Sequence, residues 1–214
     1  MVEFLVAILL TSIIMGAIYG VYRVQTHSVK AQETRLEAQE YARAALDMMV
    51  REIRNAAYNP LSATSGTNCA SGSAGAPGVV TATTTTFRFT YDFQGTTAGT
   101  SPDGHCNGPD EDIEYRFDPT GCPSGFGDIR RKTTNPVSDE ALTNCNVPAT
   151  NGFSLKYYAQ NQSSEMSPLV LANIQRVSIE LTVQSMNTEA GFGGGQLNAK
   201  VTSNVDLRNR GLPS

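Results

Sequence analysis

A run of 19 residues without a charged side chain decides the fold, and it reads Phe4-Leu5-Val6-Ala7-Ile8-Leu9-Leu10-Thr11-Ser12-Ile13-Ile14-Met15-Gly16-Ala17-Ile18-Tyr19-Gly20-Val21-Tyr22. At ~1.5 Å per residue, a helix of this length covers about the ~30 Å of a bilayer's hydrocarbon core. Residues 23–57 contain neither Pro nor Gly, so nothing interrupts the helical pattern where the apolar run ends. The sequence therefore predicts one helix over residues 1–57, with a transmembrane half at 4–22 and an amphipathic half at 23–57.

The amphipathic half carries one apolar stripe, made more of alanine than of leucine. Its members recur three or four positions apart, which places them on one helix face. They are Ala38, Ala42, Ala45, Leu46, Met49 and Ile53, followed by Ala56 and Ala57. We expect this face to dock on a sheet. We expect Asn59-Pro60 to end the helix, because the residue before a proline is driven out of the helical conformation.

The remainder of the chain, residues 58–214, is predicted to form a loop-rich β head. Strands are expected at 83–93, 112–117, 128–133, 153–159, 174–184 and 197–207. In the first, Phe87, Phe89, Tyr91 and Phe93 alternate onto one face, and Val177, Ile179, Leu181 and Val183 do so in the fifth. Strands in series after one helix predict an α+β fold, in which the helix packs on an antiparallel sheet.

The opening Met1-Val2-Glu3-Phe4-Leu5-Val6-Ala7 resembles the start of mature type IV pilins and pseudopilins. Those chains open Phe-Thr-(Leu or Met)-(Ile or Val)-Glu and continue apolar. The resemblance implies that two mature residues and a basic leader, cut by a prepilin peptidase, precede Met1. It also implies that Glu3 and Phe4 serve subunit assembly, with Glu3 neutralising the amino terminus of a neighbouring subunit. The alternative is an interfacial glutamate that is stabilised by the helix dipole and contacts only lipid headgroups.

A second resemblance covers residues 39–60. This segment is similar to the helix end of PilW-like minor pilins, where an Arg-x-Ala-Leu run leads to an acidic-x-Arg-x-Ala-Gly-Tyr ending, and Ala57 stands at that Gly. The end of the last strand, residues 206–210, resembles the Arg-Asn close of the same group.

These resemblances imply a pilin-like fold and a minor pilin, a structural subunit that primes or caps assembly of the type IV pilus. The implied partners are other major and minor pilins, the inner-membrane assembly platform and, before assembly, the lipid bilayer. Two alternatives stay open. One is a minor pseudopilin of a type II secretion system, and the other is a single-pass, membrane-anchored binding domain.

The charges that flank the apolar run and the cysteines predict opposite locations for the head relative to the membrane. Arg23, Lys30 and Arg35 follow the apolar run, and the positive-inside rule would place the head in the cytoplasm. The four cysteines form an even set in loop-rich sequence, which is typical of two disulfides in an oxidising compartment. They are Cys69, Cys106, Cys122 and Cys145. We expect one pass through the inner membrane with the head in the periplasm, then a place in an extracellular filament; a basic leader would account for the charges.

Disulfides are a better interpretation of these cysteines than a metal site, because no Cys-x₂-Cys pair is present. Of the three possible connectivities, we favour Cys69–Cys106 with Cys122–Cys145, because each bond would pin a long loop to the sheet. The acidic loop at 103–112 offers oxygen ligands without the spacing of an EF-hand. It is either a solvated acidic turn or a calcium site, and we favour the turn.

Several functional classes lack support in the sequence. A net charge of −4 and a pI near 5.2 do not fit a nucleic-acid-binding surface. The two histidines, His27 and His105, accompany no Gly-x-Ser-x-Gly nucleophile motif. Residues 191–195 are glycine-rich but precede no helical pattern, so they do not predict a phosphate-binding loop. The sequence predicts a protein that is not an enzyme and has no cofactor, bound metal or small-molecule substrate.

Overall fold

The computed structural model describes residues 2–61, 78–95, 97–184 and 198–208. Its longest element is the helix α1, which runs without interruption for 52 residues from Val2 to Ile53. At ~1.5 Å per residue this rod is about 78 Å long. The predicted continuous helix is therefore present, and it reaches well beyond the head that packs on its second half.

The end of the helix differs from the prediction. The helix stops at Ile53 and not at Ala57, and residues 54–57 form a turn. Ala57 has a φ of +63°, and its N–H donates to the carbonyl oxygen of Thr90 at 3.0 Å. A contact with the sheet thus ends the helix before Asn59-Pro60 can. Ala57 is the position at which the resembling family has glycine, and its left-handed conformation is the one that glycine adopts without steric cost.

The described residues form nine strands in two antiparallel sheets, with one short 3-10 helix at Leu171–Asn173. The strands are β1 (Val79–Ala82), β2 (Thr86–Thr90), β3 (Asp112–Asp118), β4 (Phe126–Thr134), β5 (Val137–Ala141), β6 (Val147–Pro148), β7 (Phe153–Tyr158), β8 (Arg176–Gln184) and β9 (Asn198–Asp206). The larger sheet has the order β1-β2-β3-β4-β5, with β6 also paired to β4. The smaller sheet has the order β7-β8-β9.

The predicted α+β class is confirmed, and each of the six predicted strands overlaps a strand of the structure. The sequence did not reveal β1, β5 and β6. These three strands are short, and β5, with the sequence Val-Ser-Asp-Glu-Ala, has no alternation of polar and apolar residues. The single expected sheet is also divided into two, because β6 pairs with β4 while β7 pairs with β8.

Aromatic side chains fill the centre of the larger sheet. Phe87 and Phe89 are fully buried, with ring centroids 5.4 Å apart, and Phe89 stacks on Tyr115 of β3 at 6.4 Å. Phe93 was expected on the same face, but it is 61% exposed. The strand ends at Thr90, where the chain turns away, so the alternation continues in the sequence after the strand has ended.

Hydrogen bonds at two edges join the two sheets into one head. The Leu155 N–H donates to the carbonyl of Thr84 at 2.8 Å, and the Tyr157 hydroxyl donates to the carbonyl of Thr83 at 2.6 Å. At another edge, the Gln184 N–H donates to the carbonyl of Asn146 at 2.7 Å. Buried residues of both sheets and of α1 form a single hydrophobic core.

The head packs on α1 through small side chains. The buried residues of this helix are Ala38, Ala42, Ala45, Leu46, Met49 and Ile53, which are the six residues of the predicted docking face. They pack mainly against β8 and β9, where Val177, Ile179, Leu181 and Val183 are fully buried. Alanine lets the helix backbone approach the sheet closely, because no long side chain stands between them.

A substitution in this face tests the docking. Ala45→Asp should destabilise the head by about 3–5 kcal/mol, because it buries a carboxylate without a partner. Ala44→Asp is a matched control, since Ala44 is the adjacent residue on α1 and is exposed. Chemical denaturation of the full chain in detergent, followed by near-ultraviolet circular dichroism, measures both. Equal unfolding free energies for the two variants would show that the face is not docked.

Candidate functional site

The first half of α1 is not covered by any part of the chain that the structure describes. Every side chain from residue 2 to residue 26 is exposed, including Phe4 and Leu9. The helix is long and apolar enough to cross a membrane, and none of its most apolar window is buried by the head. An exposed apolar surface of this size marks a site that binds lipid or protein.

Aromatic residues define the upper end of this apolar surface. Tyr19 and Tyr22 are exposed on α1, and Arg23 follows directly. Tyrosine is enriched where a helix passes from hydrocarbon into water, because the ring is apolar and the hydroxyl is polar. The prediction for residues 4–22 did not use this signal, although the two tyrosines were visible in the sequence.

The two residues predicted for subunit assembly lie in the first turn of the helix. Glu3 and Phe4 are both exposed, and the described residues of the head do not cover them. A carboxylate in the first turn is favoured by the positive end of the helix dipole. This position makes Glu3 available to a cation outside the molecule, which fits either of the two interpretations of this residue.

A partly buried cluster of charged and polar side chains joins the other end of α1 to the sheet. Glu52, in the last turn of the helix, accepts hydrogen bonds from Arg131 Nε at 3.0 and 3.1 Å and from the Tyr115 hydroxyl. The guanidinium also reaches Asp110 Oδ1 at 3.1 Å. We call these four residues the Glu52 cluster. Arg131 and Tyr115 face each other across β3 and β4, so a single pair of strands positions both donors.

Burial and charge act together on the titration of this cluster. Burial lowers the pKa of Arg131, but hydrogen bonds and charges from Glu52 and Asp110 outweigh it and hold the pKa above its ordinary value. Burial also raises the pKa of the Tyr115 hydroxyl, and the nearby Glu52 carboxylate raises it further. The tyrosine therefore stays protonated and the arginine stays charged at any physiological pH.

Sequence reasoning did not find the Glu52 cluster. Glu52 lies 63 positions from Tyr115 and 79 positions from Arg131 in the chain. No local pattern marks a pair that only the tertiary fold brings together. Glu52 has the appearance of another charged residue on a mostly solvated helix face.

The loop between β2 and β3 is organised around a second buried carboxylate. Glu111 Oε1 accepts the N–H groups of Phe93 at 2.9 Å and Gln94 at 2.8 Å, and Oε2 accepts that of Gly108 at 2.7 Å. Burial raises the pKa of Glu111, and these three backbone donors oppose the rise. A Cβ atom at Gly108 would lie 2.7 Å from Oε2, so the close approach needs glycine.

The remaining acidic groups of this region also have separate protein partners. Asp92 is buried and accepts the N–H of Gly104 at 2.8 Å and that of Asp103 at 3.3 Å. Asp112 is buried too, and it pairs with Arg88 at 2.6 and 2.8 Å. The interpretation of 103–112 as a solvated acidic turn is therefore wrong for Glu111 and Asp112, which have the structural roles just described.

The predicted Cys122–Cys145 disulfide is present and joins the turn between β3 and β4 to the segment after β5. Cys106 is also disulfide-bonded, while its predicted partner Cys69 lies outside the described residues. Asp128 stands beside the bond and accepts the N–H of Cys145 at 2.5 Å and the hydroxyl of Thr143 at 3.2 Å. The disulfide and this carboxylate together fix the loop that leads to β6.

The described residues contain one group of side chains spaced closely enough to hold a metal ion. One group of three ligating side chains, Cys122, Asp128 and Cys145, has its ligand atoms within 4.8 Å of one another. Its two sulfur atoms are bonded to each other and are not available as thiolates. The carboxylates of 103–112 form no such group in the part of the chain that the structure describes.

Comparison of the chain with models of protein families, with curated proteins and with solved structures finds no match.

A single and a double substitution test the coupling within the Glu52 cluster. Glu52→Gln should lower the unfolding free energy by about 3 kcal/mol, because it leaves a buried guanidinium short of a counter-charge. Glu180→Gln is the control, since Glu180 pairs with Lys156 and Lys200 at the surface and should contribute at most about 1 kcal/mol. Adding Arg131→Met to Glu52→Gln should recover most of the loss. A double variant no more stable than Glu52→Gln alone would contradict the coupling.

Thiol mapping tests the cysteine assignment. Alkylation of the unreduced full chain under denaturing conditions, followed by peptide mass analysis, should find no free thiol and one peptide pair linked through Cys122 and Cys145. Reduction beforehand provides the control, since all four cysteines should then be alkylated. Four modified cysteines without reduction would contradict the disulfides.

Proposed function

We propose that the chain is a minor pilin, a structural and assembly subunit of the type IV pilus that primes or caps the filament. The observation that carries this proposal is the contrast between the two halves of α1. One half is docked into the head, and the other half presents an apolar surface along its whole circumference. The molecule needs a second surface to cover that half.

Two environments provide such a cover in turn. In a bilayer, lipid tails surround the apolar half, whose length matches the hydrocarbon core. In a filament, the apolar halves of neighbouring subunits replace the lipid as they pack side by side. The same apolar surface then contacts lipid while the subunit is in the membrane and protein once it is in the filament. The inner-membrane assembly platform transfers the subunit from the membrane to the filament.

The rigid link between anchor and head favours a filament subunit over a simple membrane-anchored binding domain. An anchored domain needs only a tether, and a flexible linker suffices for that. Here the residues between Tyr22 and Ala38 are helical, and the head sits directly on the same helix. The orientation of the head about the rod axis is therefore fixed, which an ordered array of subunits requires. A type II secretion pseudopilus has the same requirement and remains the alternative.

Glu3 supplies the proposed register of packing. A carboxylate among packed apolar helices is costly unless a cation meets it, and the amino terminus of a neighbouring subunit is the cation that the family resemblance implies. Neighbouring subunits with the wrong axial offset would leave both the Glu3 carboxylate and the amino terminus unpaired. Correct stagger between rods is thus favoured by charge as well as by apolar contact.

The test replaces the carboxylate and follows two separate events. Glu3→Ala should insert into the inner membrane normally, yet its amount in sheared filaments should fall at least about tenfold, the effect of ~1.4 kcal/mol. Thr11→Ala is the control, because Thr11 lies on the same exposed half and bonds only its own helix backbone.

Two results would count against the proposal. Normal incorporation of Glu3→Ala would remove the register role. Absence of the wild-type chain from every sheared filament and pseudopilus fraction, with function retained in Glu3→Ala, would favour the anchored binding domain.

A further inference from the structure

The Cys122–Cys145 disulfide has a buried carboxylate beside both of its sulfur atoms. Asp128 Oδ2 lies 3.5 Å from Cys122 Sγ and 3.6 Å from Cys145 Sγ. Sulfur atoms in a disulfide carry no hydrogen, so neither can donate to this oxygen. Among the described residues no N–H or O–H group donates to Oδ2, although Asp128 is only 7% exposed. The disulfide therefore does not explain why a carboxylate oxygen points at it.

The other carboxylate oxygen holds Asp128 in this orientation. Oδ1 accepts the Cys145 N–H at 2.5 Å and the Thr143 hydroxyl at 3.2 Å. The Thr143 oxygen in turn accepts the Ile129 N–H at 3.0 Å, which directs the hydroxyl hydrogen toward Asp128. Carboxylates that bind metal ions are commonly oriented by hydrogen bonds of this kind. Oδ1 thus serves orientation and leaves Oδ2 available as a ligand.

The distances around Oδ2 match a tetrahedral zinc site. With Zn–S and Zn–O bonds of about 2.3 and 2.0 Å, an oxygen ligand and a sulfur ligand lie about 3.5 Å apart. The observed separations of 3.5 and 3.6 Å agree with this value. Reduction frees both cysteine side chains to rotate around such an ion, and their Cα atoms, 5.3 Å apart, keep both within its reach.

The chemistry of the three donors selects zinc over hard cations. Calcium and magnesium prefer oxygen ligands, whereas two thiolates with one carboxylate suit zinc. Cys122 and Cys145 are half-buried, so water can reach the fourth position of the tetrahedron. The donor set therefore fits a zinc ion held by three protein ligands and one water molecule.

We propose that Cys122, Asp128 and Cys145 bind one zinc ion when the disulfide is reduced. The disulfide and the zinc site exclude each other, because zinc needs both sulfurs as thiolates. Either state ties the turn between β3 and β4 to the segment after β5. The zinc site serves the chain before its disulfide has formed, or after a reductant has opened it. This inference does not depend on the proposed filament role.

The experiment starts with reduction of the full chain in detergent by a water-soluble phosphine. Phosphorus donates two electrons to the S–S bond and takes the oxygen of a water molecule, whose two protons go to the thiols. After removal of the phosphine under nitrogen, Zn²⁺ is added and displaces the thiol protons to the buffer. Timed alkylation with iodoacetamide, followed by peptide mass analysis, gives the rate at each of the four cysteines.

Zinc should protect one pair of cysteines and leave the other pair unchanged. Alkylation of Cys122 and Cys145 should slow at least about tenfold, because the ion occupies both thiolates. The rates at Cys69 and Cys106 should not change, and a chelator should restore the original rates at all four positions. Co²⁺ in place of Zn²⁺ should give a thiolate-to-metal charge-transfer band, which reports sulfur ligation directly.

Two matched variants test the carboxylate. Asp128→Asn keeps an oxygen acceptor for Cys145 and Thr143 but loses the ligand charge, so the zinc concentration for half-protection should rise at least about tenfold. Asp118→Asn removes the same charge from the residue paired with Asp128 across β3 and β4. It should change that concentration by less than about twofold, because an exposed charge contributes little. Near-ultraviolet circular dichroism of the oxidised variants checks that the head is intact.

Several results would overturn the zinc site. One is unchanged alkylation of Cys122 and Cys145 in the wild-type chain, whether or not the reduced head stays folded. Another is equal protection of all four cysteines, which would indicate non-specific thiol binding. Protection that survives in Asp128→Asn, or that weakens equally in Asp118→Asn, would overturn the three-residue ligand set. The Glu3→Ala experiment on the filament role uses the oxidised chain, so its result is independent of these outcomes.

Discussion

The head is held to its helix by close contact of small side chains and by the partly buried Glu52 cluster. The alanine-rich face brings the backbone of α1 near β8 and β9, while Glu52 anchors the end of the helix through Arg131 and Tyr115. The apolar face has little directional preference, because alanine side chains can slide past one another. The Glu52 cluster has strict geometry, so it sets how far along the rod the head sits.

This arrangement divides the rod into two functional parts. Within the described part of the chain, the buried residues of α1 all lie in its second half, and residues 2–26 are exposed. The first half is therefore free to change its surroundings from lipid to protein without loss of head stability. The proposed filament role would need this separation, since the fold of the head would have to survive the transfer from membrane to filament.

Periodic features were predictable from the sequence, and features that depend on distant pairs were not. The docking face of α1 and the core of β8 follow from spacing alone, because a period of 3.6 or 2 residues fixes which side chains share a face. Phe93 shows the limit of this reasoning, since its alternation continues past the point where tertiary contacts end β2. Glu111 shows another, because nothing in its local sequence distinguishes a solvated carboxylate from one that organises a loop through three backbone donors.

Because the helix is unbroken between the apolar half and the head, the number of residues in this stretch sets the direction of the head around the helix axis. Each residue of an α-helix advances the chain by ~1.5 Å and turns it by about 100°. One residue added between Tyr22 and Ala38 would leave both halves intact, yet it would swing the head about a quarter-turn around the rod. Seven added residues would return it to within ~20° of its starting azimuth. In the proposed filament, the number of residues in this stretch therefore matters more than their identity, because it sets the direction in which the head faces.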